Sequence, residues 1–443
     1  MNNKKTIDGP VYDARELGTP KMLLLGLQHM FAMFGATVLV PTLTGLSVSA
    51  TLLFAGLGTL LFHLLTKKKV PAFLGSSFAF LGGYFTIAPG GDPALLPYAC
   101  FGVACAGLMY GILSAAFKAF GVRKVMRFFP PIVTGPIIIC VGLHLAPTAI
   151  DSCMDNWGIA LVAVFVVIIC NIWGKGMIKI IPILLGVAAS YLVAAVTGNV
   201  DFSGVKDAAW IGLPVLFRNT VFGLFASGNV DGNLLITAII TILPISLATM
   251  VEHIGDICAI SSTCGENFME DPGFHRTLLG DGLATTLAAL FGAPANTTYG
   301  ENTGVLNLTK VFDPRVIRIA AVFAIVFSFC PKFSALIAAM PSATIGGVSL
   351  ILYGMIAAVG VRNVVENQVD FTNTRNVIIA ALILCLTIGI EFSAAGTVSL
   401  GHINLSGLAV ASIVGIALNA ILPGKDYEFV QEDKGSTSVN FKV

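Results

Sequence analysis

Gly292-Ala293-Pro294-Ala295-Asn296-Thr297-Thr298-Tyr299-Gly300-Glu301-Asn302-Thr303-Gly304 is a run of small, hydroxyl-bearing and turn-forming residues built around a carboxylate. It lies between two apolar stretches, Leu278 to Phe291 and Val316 to Phe329. A carboxylate such as Glu301 is costly at membrane depth, and a group retained there marks a functional site. Irregular backbone at that depth survives only where it is buried in protein or lines a cavity.

The composition around this run sets the solvent. Hydrophobic residues make up 56% of the 443 and charged residues only 11%, against about 25% charged in soluble domains. Glycine, with 47 copies, suits close helix packing in lipid. The chain reads as an all-α polytopic membrane protein. A net charge of +1, with no basic run beyond Lys67-Lys68-Lys69, offers no footprint for nucleic acid. The nine cysteines are scattered, most within apolar spans, such as Cys105, Cys140, Cys170 and Cys385. They lack CxxC or Cys/His spacing and read as small packing residues, so no metal or cofactor is expected. Neither a phosphate-cradling loop nor a nucleophile elbow occurs, so the chain is not read as an enzyme. The segment Met1 to Pro20 is polar and has no cleavable hydrophobic region, so no removed signal peptide is expected.

Fourteen stretches are long and apolar enough to cross a bilayer. They run over 22–44, 48–66, 71–88, 96–117, 128–149, 157–173, 179–198, 233–260, 276–293, 295–311, 315–333, 339–361, 376–391 and 404–422. The third and tenth are interrupted by Gly, Ser and Thr. With the N-terminus in the cytoplasm, only Lys206, Arg218 and Lys332 of the 25 Lys and Arg fall outside. That is a strong positive-inside bias, and dropping either interrupted span would flip every later loop and destroy it. Both termini are therefore expected in the cytoplasm: a tail over 1–20, a tail over 425–443, and an external linker over 201–232.

The two halves echo one another. Gln28-His29 in the first span answers Glu252-His253 in the eighth. Ser76-Ser77-Phe78 answers Thr297-Thr298-Tyr299, each after a Pro-Ala pair, Pro71-Ala72 and Pro294-Ala295. Pro130 and Gly135 answer Pro341 and Gly346. All three offsets are about half the chain. Seven spans per half is an odd number, so the second half enters from the opposite side: an inverted repeat, as in secondary transporters. Such proteins hold substrate near the midplane, where interrupted helices from the two halves meet.

Ser76–Phe80 and Thr297–Tyr299 favour extended backbone, and Gly82-Gly83 or Gly300-Glu301-Asn302 follows. Each interrupted span therefore predicts a short strand and then a half-helix, whose free N–H groups favour an acceptor. Glu252 and Asp256 stand at i and i+4 on one helix face. Desolvation and a like-charged neighbour both disfavour ionisation, so at least one of Glu252, Asp256 and Glu301 is expected to hold a proton near neutral pH and to serve as its carrier. His29 and His253 read as polar links between packed helices. His63, His144, His275 and His402 fall near span ends or in loops and carry no motif. Among the aromatics, only Phe78 and Tyr299 gain weight from position.

These residues resemble the nucleobase–ascorbate transporter family. Its signature is Glu or Gln, Asn, any residue, Gly, four residues, Thr, then Lys, Arg or Gly. Here it reads Glu301-Asn302-Thr303-Gly304-Val305-Leu306-Asn307-Leu308-Thr309-Lys310. Gln28 to Thr37, Pro71 to Phe80 and Asp271 to Arg276 are similar to bacterial uracil permeases. The resemblance implies fourteen spans in two inverted seven-span repeats. A core domain (21–120 and 233–333) would hold the site, flanked by a gate domain (121–200 and 334–424). It also implies a homodimer working by an elevator-like movement, with uracil and a proton as partners and sodium as the coupling ion in some relatives. Side chains at Glu252 and Glu301 would bind the base, and backbone at Phe78 and Gly300 would add hydrogen bonds. Ala36 and Tyr299 would line the pocket, and Tyr353 would face it from the gate. Glu at the first signature position favours uracil over a purine. One departure stands out: the position one turn after Glu252, His in the best-studied type of bacterial uracil permease, is Asp256. An aspartate also relays protons, with an intrinsic pKa of about 3.9 against about 6.5 for histidine.

Overall fold

The computed structural model describes residues 9–175, 177–394, 396–400, 403–424, 428–429 and 441–442. His402, Lys4, Lys5, Lys425 and Lys434 lie outside the described residues. The chain is mostly helical. In order come α1 (Thr19–Thr44), α2 (Val48–Leu65), β1 (Leu74–Ser76), α3 (Leu81–Ile87), α4 (Leu96–Phe120), α5 (Pro131–Leu143), α6 (Ala146–Met154), α7 (Trp157–Ile172) and α8 (Pro182–Val196). After short turns of helix across the linker, there follow α9 (Gly232–Ile242), α10 (Ile245–Cys264), α11 (Phe274–Leu290), β2 (Asn296–Thr298), α12 (Gly300–Thr309), α13 (Pro314–Ser328), α14 (Pro331–Ala338), α15 (Ser342–Glu366), α16 (Thr374–Glu391) and α17 (Gly407–Ile421). Counting α5–α6 and α9–α10 as continuous, seven helices among the described residues are long and apolar enough to cross a membrane, and α7, α8 and α17 are shorter apolar helices.

Prolines mark interruptions in three of the expected spans, and one of these is sharply bent. The stretch 315–333 does not run through: α14 turns 86° away from α13. Pro331 lacks an N–H and restricts the residue before it, so the helix ends at Ser328. The stretch 233–260 is interrupted only for a turn between α9 and α10 at Pro244, and 128–149 between α5 and α6 just ahead of Pro147; both continue as single spans.

Packing sorts the helices into two sets. In the first, α11 packs on α4 and α2, α13 on α2 and α1, and α9 on α4. In the second, α15 packs on α5, α6 and α7, α8 on α7, and α16 on α17 and α5. The sets meet where α1 touches α8 and where α10 touches α5 and α17. The α4–α11 contact is close enough that a Cβ on Gly282 would lie 2.5 Å from the Gly107 carbonyl oxygen. Backbones pack directly there, as small residues permit in lipid.

Candidate functional site

The two interrupted segments meet. β1 and β2 pair antiparallel, with Leu74 opposite Thr298, Gly75 opposite Thr297 and Ser76 opposite Asn296. The Tyr299 N–H donates to the Phe73 carbonyl (3.1 Å) and the Ser77 N–H to the Ala295 carbonyl (2.8 Å). The first strand is shorter than the Ser76–Phe80 segment predicted, and starts earlier. In this register Phe78 would face Pro294, which has no N–H to extend the ladder. The backbone instead turns at Phe78 and enters α3. On the other side the strand runs over Asn296–Thr298, Tyr299 stays extended, and α12 starts at Gly300.

Neighbouring helices supply further hydrogen bonds to these strands. Thr59 of α2 donates to the Leu74 carbonyl (3.3 Å) and accepts from the Leu74 N–H (2.9 Å). Thr285 of α11 donates to the Asn296 carbonyl at 2.8 Å, and the Asn296 amide donates to the Phe54 carbonyl at 3.0 Å. Such bonds are obligatory for a two-stranded ribbon buried away from water.

Tyr299 bolts the crossing together. Its hydroxyl donates to the Ser76 carbonyl (2.8 Å) and accepts from the Thr37 hydroxyl of α1 (3.3 Å). Ser76 Oγ in turn donates to the Thr37 carbonyl at 2.8 Å. The ring lies over Gly75, where a Cβ would come within 2.6 Å of both Thr37 Oγ1 and the Tyr299 ring. Gly75→Ala is therefore expected to lower stability by about 1–3 kcal/mol through overpacking, read as a lower thermal unfolding midpoint in detergent. An unchanged midpoint would show that the crossing has slack.

Ala36, Phe78, Tyr299 and Tyr353 belong to one buried cluster. Phe78, from the first helix set, meets Tyr353 of α15, from the second, edge to face at 5.7 Å between centroids. Gly300 is exposed, and a Cβ there would meet nothing within 4 Å. The start of α12 thus faces open space. Glu301 occupies the first turn of that helix, and its side chain lies outside the described residues.

Both carboxylates on α10 are half-buried. Asp256 is no solvated helix end: its Oδ2 accepts from the Thr298 hydroxyl at 2.6 Å. That bond joins the carboxylate helix to β2, two residues before Gly300. The bond brings Asp256 of α10 against the end of β2, two residues from the start of α12, while Ala36, Phe78, Tyr299 and Tyr353 share one buried cluster.

His29 and His253 serve as helix links, as their positions suggest. The Asn302 amide on α12 donates to His29 Nδ1 (3.2 Å) and to the His29 carbonyl (3.1 Å). His253 Nδ1 lies 3.0 Å from Asp281 Oδ2 on α11, both side chains fully buried. Asp281 escaped the sequence reading because it carries no motif and sits among apolar and small residues. The signal available was its presence: an acid one turn into an apolar span needs a buried partner. Thr37, Thr59 and Thr285 were equally silent, since a threonine inside an apolar helix is ordinary until its acceptor is known. Among the described residues no group of three or more His, Cys, Asp or Glu is arranged to hold a metal ion.

Comparison with known proteins places this geometry. A uracil permease of Bacillus caldolyticus is 41% identical over 426 residues, covering 94% of this chain and 95% of its own length. A uracil permease of Bacillus subtilis (strain 168) is 40% identical over 437 residues, covering 96% and 97%. Among solved structures, the transmembrane domain of a cyanobacterium bicarbonate transporter, BicA, superposes with a TM-score of 0.58 at 16% identity, covering 93% of this chain and 99% of that one. That likeness shows a shared fold. A family model described as "Permease family" (Xan_ur_permease) matches residues 20–396. With a match over most of its length and relatives near 40% identity, the chain belongs to this nucleobase permease family.

Proposed function

We propose that this chain imports uracil across the cytoplasmic membrane by proton-coupled alternating access. The observation that carries the reading is the bond between Thr298 and Asp256. Through it, the strand crossing holds the open start of α12 beside the carboxylate face of α10. Uracil presents ring N–H donors and carbonyl acceptors along one edge. Carboxylates at Glu252 and Glu301 accept from the former, and backbone N–H groups near Phe78 and Gly300 serve the latter. The names of the close relatives support the choice of base.

The two helix sets support a core over 21–120 and 233–333 that moves against a gate over 121–200 and 334–424, with 201–232 as external linker. Phe78 against Tyr353 is then a contact across the moving boundary. The same order of strand then helix in each half, with antiparallel pairing between them, supports an inverted repeat of seven spans and so a total of fourteen. Cytoplasmic termini rest on the charge bias, and a homodimer rests on the family resemblance. Glu252, Asp256 and Glu301 are the proton-coupling groups in this reading, with sodium as the alternative coupling ion.

Proteoliposomes holding the pure protein should accumulate labelled uracil under an inward proton gradient and lose it to a proton ionophore. Absence of uptake sinks the proposal. Competition by unlabelled xanthine separates uracil from the purine alternative. An anion transporter of the same fold is disfavoured by Glu252 and Glu301, since an anion site avoids acidic side chains.

Asp256→Asn tests the coupling. The amide still accepts from Thr298, so uracil binding should persist within about a factor of three, on the scale of one exchanged neutral hydrogen bond. The pH profile of uptake should change shape. If the profile matches the unaltered protein, Asp256 holds β2 in place and does not relay protons.

A further inference from the structure

The segment before α1 does more than lead into the membrane. The Val11 N–H donates to the Lys310 carbonyl and the Phe312 N–H to the Val11 carbonyl, both at 2.8 Å, so Val11 lies parallel to Val311. The Ala14 N–H donates to Asp313 Oδ2 at 2.7 Å. Arg315 Nη1 donates to Asp13 Oδ1 at 2.7 Å and to Asp313 Oδ2 at 3.2 Å. The Tyr12 hydroxyl donates to the Cys264 carbonyl at 2.8 Å, and its ring packs on Phe312 at 5.5 Å. Val11, Ala14, Val311 and Val316 form a small buried apolar cluster of their own beneath these bonds.

The places these bonds attach are what matter. Lys310 caps α12 in a left-handed conformation, so Lys310–Asp313 is the joint between the Glu301 half-helix and α13. Cys264 is the last residue of α10, the helix of Glu252 and Asp256. Past Gly18, the same segment becomes α1, which carries His29 and Ala36. One strap therefore ties together the far ends of the three elements that meet at the strand crossing.

We propose that Val11–Leu17 is a positioning strap, held by the Asp13–Arg315–Asp313 ion cluster, that sets the relative position of α10 and α12 and thereby the affinity for substrate. It rests on the reading of these two helices as the uracil site. Its residues touch no substrate. They act through the helix ends, as a support must if carboxylates on separate elements are to stay in register. A half-helix of ten residues capped only by its own turn is marginal alone, so anchoring its C-terminal joint narrows the positions its N-terminus samples.

Salt is the lever that should move the strap, and mild acid should not. Hydrogen bonds from Arg15, and then the charges of Arg15 and Arg315, hold the Asp13 carboxyl well below its ordinary value of 3.8. Asp313 shares the Arg315 guanidinium with Asp13, and Arg318 lies near enough to act on Asp313 and Arg315. A carboxyl whose pKa is depressed on folding stabilises above its ordinary pKa and loses that contribution only as pH falls through the lower folded value. The Asp13 carboxylate therefore stays charged as pH falls past that ordinary value. Asp13 and Arg315 are partly exposed, with side-chain accessibilities of 35% and 38%, so added salt screens them.

The test uses full-length protein in detergent, with Asp13→Asn, Arg315→Gln and Tyr12→Phe made singly and together. Each ion-cluster variant should weaken uracil binding about 2- to 5-fold, the scale of a part-exposed ion pair. The triple variant should reach roughly 10-fold, once one neutral hydrogen bond is added. Amide exchange over residues 300–312 should speed up without uracil present, while the global unfolding midpoint stays close to the unaltered value. Salt should weaken binding by the unaltered protein and barely change the triple variant. Unchanged exchange in the triple variant overturns the strap. Faster exchange with unchanged uracil affinity overturns its link to the site. If the unaltered protein itself binds no uracil, the functional reading fails, and the exchange measurement still decides whether the strap holds α12.

Discussion

Uracil affinity should fall by about 1.5–3 kcal/mol, roughly 10- to 150-fold in Kd, when Glu301 is replaced by Gln. The substitution preserves length and planar shape, so α12 and its Asn302–His29 anchor remain. What disappears, on the proposed reading, is a carboxylate that accepts a ring N–H with a charge-assisted bond. One end of the amide presents N–H against the donor edge of the base, and desolvation makes that mismatch expensive. Calorimetry on the purified variant measures the loss. An unchanged Kd would remove Glu301 from the site and leave Glu252 as the sole carboxylate acceptor. Transport should fall at least as steeply, because in this reading Glu301 also belongs to the proton-coupling set.

A larger effect on stability is expected from Asp281→Ala. His253 and Asp281 lie 3.0 Å apart with both side chains fully buried. Removing one partner of such a pair strands the other in a low-dielectric interior, at a cost of about 3–5 kcal/mol. The variant should show a markedly lower unfolding midpoint in detergent and reduced yield from membranes. Asp281→Asn keeps an acceptor in reach of the imidazole and should recover part of the loss. If Ala and Asn variants both melt with the unaltered protein, the pair is not a structural link, and His253 must be satisfied elsewhere. The position of the pair makes the consequence wider than local. His253 directly follows Glu252 on α10, so loosening α10 from α11 also shifts the carboxylate face.

Much of the candidate site was legible because membrane burial makes polar residues conspicuous. Glu252, Asp256 and Glu301 stand out in apolar surroundings, and Phe78 and Tyr299 stand out beside interrupted spans. The two strands were legible from hydroxyl-bearing, β-branched and aromatic residues where an unbroken apolar helix would otherwise run. Their bounds were less so. The end of β1 is set by its partner, since Pro294 cannot continue the ladder, and no local preference of Phe78 or Phe80 reveals that. Pro331 is visible in the sequence, yet a proline by itself does not specify the 86° angle between α13 and α14.

Composition was enough, taken alone, to mark a polytopic membrane protein, and the resemblance of Glu301, Asn302, Gly304, Thr309 and Lys310 to a family signature pointed to a permease. Those are one-dimensional properties: a bilayer selects runs of apolar residues, and a buried charge is rare enough to be informative wherever it falls. Which polar groups pair was decided only in three dimensions. Asp256 with Thr298, His253 with Asp281, Asn302 with His29 and Asp13 with Arg315 join residues far apart in the chain. Hydrogen bonds are short-ranged and directional, so each partner is chosen by the packing of whole helices and leaves no trace in the residues beside it.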